Sequence, residues 1–271
     1  MRSIRGALLA VSALLACDSR VAVTHAPAVS SMPTPAPPTV PAVHASGGPV
    51  EPLVAAPARR PGAWANNDPT DDLVPGPPDV LEDCDEQLAQ AGVRYRRASL
   101  PVHAEHQGKL TCGAPQVLVY SRGPGGIAYD PPPLLTCPMA LALASFEKIL
   151  QEEALAEMHA PLVRIEQLGT YSCREIVAFP GWVSEHSYAN AIDLSRFVFK
   201  NGVTVSVAHD FDQGDDAPKR SAGLFLRTIS RRAYDEDVFS HVLTPFFNAA
   251  HRDHFHLDLA RYRGDGTRPE S

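Results

Sequence analysis

Apolar and polar residues alternate in a short run near the C-terminus of the chain. The run reads His251-Arg-Asp-His254-Phe-His256-Leu-Asp258-Leu. Read as a β-strand, it has one apolar face that can join a hydrophobic core, formed by Phe255, Leu257 and Leu259. The opposite face carries two imidazoles and a carboxylate side by side, those of His254, His256 and Asp258. The pattern therefore predicts a strand that anchors a core and displays polar ligand atoms.

The same spacing arguments predict the other elements of the chain. Apolar residues recur every three or four positions, as in helices, over 80–91, 137–158 and 222–242. Short alternating or β-branched runs predict strands over 117–120, 162–168 and 190–199. The dipeptide Asn201-Gly202 predicts a hairpin from the last of these strands to one over 203–207. Helices that flank a small, mostly antiparallel sheet indicate an α+β fold.

The N-terminal segment has the composition of an export signal followed by a tether. Residues 1–17 begin with basic residues and continue with an apolar run too short to span a bilayer as a helix. The run ends in Leu14-Leu-Ala-Cys17, which resembles a bacterial lipobox with Cys17 as the acylated residue; an ordinary signal peptide is the alternative. Residues 18–79 are rich in Pro, Ala and Val, which predicts a disordered tether. The folded domain is then 80–263, followed by a tail over 264–271.

Four further cysteines lie in the predicted domain, namely Cys84, Cys112, Cys137 and Cys173. In an exported chain they permit two disulfides with three possible connectivities, which the sequence leaves open. A structural zinc site is the competing use, but the chain lacks the Cys-x-x-Cys spacing typical of one. The formal charge of −7 argues against nucleic acid as a partner. No pattern in the chain indicates its oligomeric state.

A second polar cluster lies upstream of the His-rich run and contains His186 and Asp193. The gap between these two residues allows one ligand from a loop and a second from the strand that follows. With His254 and His256 they offer four candidates for a zinc ion, which commonly keeps three protein ligands and an open position for water. The imidazole left over can accept a proton from that water. The competing interpretation is a polar loop and an exposed strand face without a metal.

Five separated motifs carry a resemblance to a known family. They are Thr136-Cys-Pro138, Tyr171-Ser-Cys-Arg174, Ser184-Glu-His186, Ala191-Ile-Asp193 and Asn248-Ala-Ala-His251-Arg-Asp-His254-Phe-His256. In this order they resemble the bacterial extensin-like C-terminal domain family, over about Cys84 to Leu259. The family is related to zinc D-alanyl-D-alanine carboxypeptidases and murein endopeptidases. The resemblance implies a fold like that of these zinc peptidases and an activity on the peptide stems of bacterial cell walls.

The resemblance also assigns roles to matching residues. The zinc ligands are His186, Asp193 and His256. His254 matches the imidazole near the bound water, and Arg174 matches an arginine that faces the substrate carbonyl or carboxylate. The Glu-x-x-His spacing of other relatives gives a second assignment, in which His251 stands in the position of the base and His254 is a ligand.

Four residues are expected beside the ligands, namely Ser184, His251, Asp253 and Asp258. The two aspartates are expected to orient an imidazole through its second nitrogen. Strand alternation aims Glu185 away from His186, which makes Glu185 a weaker candidate base. His241 has no polar context in the sequence and receives no role.

The chain is therefore predicted to be a zinc-dependent peptidase that cleaves peptidoglycan stem peptides. Its predicted place is the periplasm or cell envelope, where an N-terminal lipid holds it on a membrane. The alternative, from a different class, is a non-catalytic module that binds or organises the cell wall and has a structural or vestigial zinc site. The sequence does not distinguish carboxypeptidase from endopeptidase activity.

Overall fold

The structure of the protein is a computed structural model that describes residues 77–177, 179–214 and 216–269. The predicted export signal, its lipidation residue Cys17 and the predicted tether up to residue 76 lie outside the described residues. In chain order, the helices and strands are α1 (Cys84–Gln90), β1 (Arg94–Glu105), β2 (Leu110–Arg122), β3 (Ala128–Asp130), β4 (Leu134–Thr136), α2 (Cys137–Met158), β5 (Leu162–Gly169), β6 (Glu175–Ile176), β7 (Phe179–Val183), β8 (Ala191–Phe199), β9 (Thr204–Ser206), α3 (Val207–Asp210), α4 (Ser221–Asp235), β10 (His241–Leu243), β11 (Phe255–Asp258) and β12 (Gly264–Gly266).

The largest sheet is mostly antiparallel and carries the candidate site. Its strands lie in the order β12-β10-β11-β8-β5-β3, and β9 pairs with β8. The pairs β10–β12 and β3–β5 are parallel, and the other pairs of this sheet are antiparallel. A second sheet has the order β1-β2-β4, and β6 pairs with β7 in a third. Helices beside mostly antiparallel sheets confirm the predicted α+β class.

The main core lies where α2 and α4 meet the large sheet. The two helices pack against each other, and α2 also contacts β5 and β8. Phe197 of β8 is fully buried and meets Phe225 of α4 edge to face, with ring centroids 5.6 Å apart. Truncating a buried phenylalanine of this kind costs about 3–5 kcal/mol. The helices therefore hold β8 rigidly from its apolar face.

Helix α2 has the predicted bounds because signals in the sequence mark both of its ends. Thr136 precedes the helix, and its hydroxyl accepts a hydrogen bond from the Met139 N–H at 3.4 Å. Pro138 lies in the first turn, where its missing N–H costs nothing. His159 adopts the left-handed conformation, with φ 54°, and ends the helix. No helix in the described part of the chain is both long and apolar enough to cross a membrane.

The helix predicted over 222–242 is too long. Helix α4 ends at Asp235, and the chain reverses direction through Asp237, which has φ 56°. The N–H groups of Val238 and Phe239 donate back to the carbonyl oxygen of Ala233. The next residues form β10. Apolar residues after Asp235 keep a helical spacing, but they reach the core from a turn and a strand.

The other predicted boundaries need smaller changes. Helix α1 is shorter than the predicted 80–91, and the five predicted strands correspond to β2, β5, β8, β9 and β11. The folded part extends beyond residue 263, because Gly264–Gly266 of the predicted tail form β12 at the edge of the large sheet. The Thr244 hydroxyl donates to the carbonyl oxygen of Gly266 and helps to hold that edge.

Two disulfides join segments that are distant in sequence. Cys84–Cys137 connects α1 to the first residue of α2, and Cys112–Cys173 connects β2 to the segment that precedes β6. The structure thus selects one of the three connectivities that the sequence leaves open. The cross-links span 53 and 61 residues, so each removes comparable loop entropy from the unfolded chain.

A buried carboxylate organises the far side of the core from the candidate site. Glu147 of α2 accepts hydrogen bonds from the Tyr120 hydroxyl at 3.0 Å, the Tyr129 hydroxyl at 3.2 Å and the Gly125 N–H at 2.7 Å. A Cβ atom at Gly123 would lie 1.9 Å from the Tyr120 hydroxyl, so only glycine fits there. Burial raises the pKa of the Glu147 carboxyl, although these hydrogen bonds oppose the shift.

We expect that replacing either cysteine pair by alanine lowers the free energy of unfolding by about 2–4 kcal/mol. The similar loop lengths predict similar losses for Cys84→Ala/Cys137→Ala and for Cys112→Ala/Cys173→Ala. Urea unfolding of the two double variants beside the wild type measures the losses. A pair whose removal leaves the unfolding midpoint unchanged would contradict the pairing described here, and non-reducing peptide mapping provides an independent control.

Glu147→Gln should change how stability depends on pH. A carboxyl whose pKa is raised by folding contributes stability below its unfolded pKa of about 4.3, and the contribution is lost as the pH rises through the folded pKa. The wild type should therefore lose stability relative to Glu147→Gln as the pH rises from acidic to neutral. Urea unfolding of both proteins across that range measures the difference. A difference that does not change with pH would refute the expected burial effect.

Candidate functional site

Two neighbouring strands place the first two candidate ligands. In the antiparallel pair β8–β11, Asp193 and His256 are direct register partners. The adjacent partners are the buried pairs Ile192–Leu257 and Leu194–Phe255, which face the core. Because successive side chains of a strand point to opposite faces, Asp193 and His256 must share the face away from that core. The alternation predicted for both segments is present.

His186 reaches the same point from a 3-10 helix, Glu185–Tyr188, that lies just before β8. The helix ends at Ala189, which adopts the left-handed conformation with φ 55°. The Ser187 hydroxyl ties this turn to the neighbouring segment, because it accepts the Arg174 N–H at 3.0 Å and lies within 3.0 Å of the Arg174 carbonyl oxygen. The His186 side chain is almost fully buried, with only 2% of the residue exposed.

The three side chains converge on one point. His186 Nε2 lies 3.2 Å from Asp193 Oδ1 and 3.1 Å from His256 Nδ1, and His256 Nδ1 lies 3.0 Å from Asp193 Oδ1. Hydrogen bonds alone cannot account for all three short distances of this triangle of His186 Nε2, Asp193 Oδ1 and His256 Nδ1. If both ring nitrogens donate to the carboxylate, their two N–H groups face each other across the third side.

A shared cation does satisfy the triangle. Nitrogen and oxygen ligands of one tetrahedral zinc ion, with bonds of about 2.0–2.2 Å, stand about 3.3–3.5 Å apart. The three ligand atoms come within a few tenths of an ångström of that spacing, and two imidazoles with one carboxylate are a donor set that zinc favours. The residues therefore fit a zinc ion without rearrangement of the backbone.

Asp258 holds one of these imidazoles from behind. Its Oδ2 lies 2.8 Å from His256 Nε2 and 3.0 Å from His241 Nδ1, while its Oδ1 accepts the Ala260 N–H at 2.9 Å. Asp258 is buried, with 3% of the residue exposed. The carboxylate fixes the His256 ring so that Nδ1 points at the other two ligand atoms. This is the orienting contact predicted for Asp258.

The charges at the site are strongly coupled. Burial disfavours a charged His256, but hydrogen bonds to Asp193 and Asp258 outweigh it and raise the pKa of His256 to about 10. Burial likewise disfavours a charged Asp193, yet hydrogen bonds from His186 and His256 hold its pKa well below the ordinary range. Without a metal, the triangle thus keeps a proton on His256 between two carboxylates.

Two further histidines stand beside the triangle. His254 Nδ1 lies 2.9 Å from Asp253 Oδ1, and its Nε2 lies 3.8 Å from Asp193 Oδ1. His251 Nδ1 lies 2.8 Å from Asn248 Oδ1, which must act as acceptor because it also takes the Ala250 N–H at 2.9 Å. Burial and the nearby His256 lower the pKa of His251 to about 4. Both rings therefore hold a proton on Nδ1 and leave Nε2 available.

Arg174 and Ser184 lie at the site in different ways. Both line the same cleft as His254. The Arg174 guanidinium has a long contact of 3.5 Å with the Glu175 carbonyl oxygen. Ser184 contributes through its backbone, because its N–H donates to the Arg174 carbonyl oxygen at 3.1 Å and its own carbonyl oxygen accepts the Ser187 N–H at 2.8 Å. Through these backbone hydrogen bonds Ser184 helps to fix the loop that carries His186.

The sequence arguments missed two residues that the structure brings to the site. His241, which received no role, lies on β10 next to β11 and contacts Asp258. Glu185 was expected to point away, but it lies on a 3-10 helix instead of a strand and lines the cleft. Burial and the nearby Asp258 raise the pKa of the Glu185 carboxyl. The only sequence signal for Glu185 was its position next to the predicted ligand His186. The sequence around His241 contained no such signal.

The site opens into a cleft of about 610 Å³. One part of its lining is apolar and aromatic, with Ile176, Val177, Phe179, Trp182 and Tyr262. The Trp182 and Tyr262 rings meet edge to face at 5.8 Å, and Tyr262 contacts the His241 ring at 4.5 Å. The volume is that of a site for a ligand of a few residues, and the cleft joins an apolar wall to the polar triangle.

Comparisons with known proteins give one match. A family model described as "Extensin-like protein C-terminus" matches residues 82–268, a range that contains every helix and strand described above. No curated protein and no solved structure matches the chain.

The purified chain should bind one zinc ion, and the geometry predicts a graded response to substitution. His256→Ala and Asp193→Ala remove a ligand and should abolish stoichiometric zinc. Asp258→Asn should keep the stoichiometry but weaken the affinity about 10–100-fold, because it loosens the His256 ring. Competition with a chromophoric chelator measures the affinities. His209→Ala changes an exposed histidine outside the cleft and serves as the matched control. Unchanged zinc binding in His256→Ala would disprove the assignment.

Proposed function

Since the chain belongs to the family of extensin-like protein C-termini, we propose on that premise that its domain is a zinc-dependent peptidase that cleaves peptidoglycan stem peptides. The observation that carries the proposal is the convergence of His186, Asp193 and His256 at one side of a cleft of about 610 Å³. The motif resemblance to zinc D-alanyl-D-alanine carboxypeptidases and murein endopeptidases supports the choice of substrate.

In this proposal His186, Asp193 and His256 hold the zinc ion. A zinc ion held there supplies Lewis acidity towards an amide carbonyl and makes a water molecule more acidic. The chain contributes the orientation of the ligands. Asp258 fixes the His256 ring, and the paired strands β8 and β11 fix Asp193 against His256. Such preorganisation avoids reorganisation during the reaction.

His254 is the proposed proton acceptor. Its Nδ1 is held by Asp253, so the ring presents Nε2 towards the triangle, 3.8 Å from Asp193 Oδ1. The carboxylate of Asp253 stabilises the imidazolium that forms when Nε2 takes a proton. His251 is the second candidate, with its own Nε2 available. Its lowered pKa makes it the weaker base near neutral pH.

Arg174 is the proposed electrophile of the cleft. Arg174 lines the cleft, and its guanidinium makes a long contact of 3.5 Å with the backbone carbonyl oxygen of Glu175. A guanidinium in this place can donate two hydrogen bonds to a carbonyl oxygen that gains negative charge or to a terminal carboxylate. The first use suits an endopeptidase and the second a carboxypeptidase.

The N-terminal sequence supports a location outside the cytoplasm. Residues 1–17 have the pattern of an export signal that ends in Cys17, and residues 18–79 have the composition of a tether. A lipid on Cys17 would hold the domain at a membrane surface, with a tether long enough to reach wall polymers. The two disulfides agree with folding in an oxidising compartment.

Incubation of the zinc-loaded full chain with muropeptides from several wall types tests the proposal. Mass spectrometry of the products identifies the bond that is cut. The expected result is time-dependent loss of terminal D-alanine or cleavage of cross-links. Zinc binding and wall binding without any cleavage would refute the peptidase and favour the non-catalytic wall-binding module.

The variant His254→Gln distinguishes between His254 as the proton acceptor and His254 as a zinc ligand. If His254 is the proton acceptor, we expect kcat to fall about 10²–10⁴-fold while the zinc content stays at that of the wild type. If His254 is instead a ligand, zinc content and activity should fall together. His251→Gln is the comparison variant and should have the smaller effect on kcat. The measurement is muropeptide turnover beside metal analysis, with His209→Ala as the control that changes neither.

A further inference from the structure

Two cleft residues that the proposed reaction does not use lie on the same turn as His186. Glu185 and Tyr188 begin and end the 3-10 helix Glu185–Tyr188, and both line the cleft. In a 3-10 helix the side chains of residues three apart eclipse each other, so these two lie on one side of the turn. The Glu185 carboxylate is also close enough to contribute to the raised pKa of Tyr188, after burial. The turn therefore presents a carboxyl and a hydroxyl together.

The Glu185 carboxyl is held in place by a buried amide. Asn190 Nδ2 donates to Glu185 Oε2 at 2.7 Å and lies 3.3 Å from the Leu259 carbonyl oxygen. The Thr136 hydroxyl donates to Asn190 Oδ1 at 2.9 Å, which fixes which end of the amide faces Glu185. Asn190 is 2% exposed and Thr136 is equally buried. A carboxyl anchored in this way has one oxygen fixed and little freedom to turn away from the cleft.

The Glu185 carboxylate forms no direct ion pair within the described residues, although His241 and His256 lie close enough to lower its pKa. Asp193 lies within ion-pair distance of three imidazoles and Asp258 of two, whereas the described part of the chain offers Glu185 no ion pair. Its hydrogen bond comes from a neutral amide. The imidazoles of His241 and His256 compensate the charge of the shielded carboxylate only without direct contact, and a bound cation in contact with Glu185 adds to that compensation. Arg261 lines the same cleft, but it is exposed, so solvent screens its charge more strongly.

The Tyr188 hydroxyl is the second unmatched group. Tyr188 is 2% exposed, and its hydroxyl oxygen has no hydrogen-bond partner within the described residues. Buried hydroxyl groups are almost always hydrogen-bonded, because an unpaired one loses its contacts with water without replacement. Since Tyr188 also lines the cleft, a ligand is the natural source of its missing partner.

We propose that Glu185 and Tyr188 form a subsite that binds an ammonium group of the substrate. The ammonium donates one N–H to the Glu185 carboxylate and another to the Tyr188 hydroxyl oxygen. The nearby rings of Trp182 and Tyr262 pack along the aliphatic chain that carries the ammonium. The inference rests on the proposed function and deepens it, since it selects stem peptides with a free side-chain amine over those without one.

A matched pair of probes tests the subsite by binding. Nα-acetyl-Lys-D-Ala-D-Ala has a free ammonium, and its Nα,Nε-diacetyl form has the same backbone without the charge. Equilibrium dialysis against the zinc-loaded full chain gives both dissociation constants, and mass spectrometry of the intact probe registers any hydrolysis separately. We expect the wild type to bind the free amine about tenfold or more tightly than the diacetyl form. Equal affinities, or no binding of either probe, would overturn the inference.

Substitutions then identify which residues discriminate between the two probes. Glu185→Gln should bring the two dissociation constants within about twofold of each other, and a preference retained in this variant would overturn the role of Glu185. Tyr188→Phe should weaken binding of the free amine about 2–10-fold. Because its hydroxyl is unpaired in the free protein, Tyr188→Phe should keep or raise the thermal unfolding midpoint.

Tyr120→Phe is the matched control for that last result. The Tyr120 hydroxyl is buried and paired with Glu147, and neither residue lines the cleft, so its removal should lower the midpoint and leave probe binding unchanged. A Tyr188→Phe variant that loses as much thermal stability as Tyr120→Phe would overturn the claim that its hydroxyl awaits a ligand. If Glu185→Gln does not fold, the subsite is still tested by binding of the two probes to the wild type and to Tyr188→Phe.

The outcomes for the subsite and for the peptidase are separable. Cleavage of muropeptides without any preference between the probes removes the subsite and leaves the peptidase standing. A clear preference for the free amine that vanishes in Glu185→Gln, without cleavage of any muropeptide, supports the subsite and removes the peptidase.

Discussion

The register of β8 against β11 is the constraint on which the rest of the site depends. This register sets Asp193 opposite His256 and also sets the neighbouring Ile192 opposite Leu257. A slip of one strand by one residue would turn its polar side chain into the core and its apolar side chains towards the cleft. The hydrophobic core thus brings the two candidate ligands together, and the turn that carries His186 needs only to reach a point that the sheet has already defined.

Local sequence patterns predicted the strands that carry two of the candidate ligands, because alternation and helix-end signals are visible in the sequence. The alternation around Asp193 and His256 follows from burial of one strand face, and the ends of α2 follow from Thr136, Pro138 and the turn at His159. The distances within the triangle could not be predicted, since they depend on which strands pair and in which register. The sequence pattern offered four candidate ligands, and the resemblance to a family selected His186, Asp193 and His256 among them.

The misses also have physical causes. His241 lies in a stretch whose apolar spacing continues that of α4, so the turn at Asp237 and the short strand β10 were hidden in a helix-like pattern. Its partner Asp258 is 17 residues away in sequence and adjacent in space. Glu185 was misplaced because a 3-10 turn points its side chains differently from a strand. Gly264–Gly266 carry no side-chain pattern, and their pairing with β10 is visible only in three dimensions.

One wall of the cleft depends on the Cys112–Cys173 disulfide. Cys173 precedes Arg174 directly, and Arg174 shares backbone hydrogen bonds with the turn that presents His186. Under reducing conditions this disulfide would open, and the segment around Arg174 would lose its covalent link to β2. The position of Arg174 in the cleft thus depends on the oxidation state of two cysteines as well as on the pairing of strands.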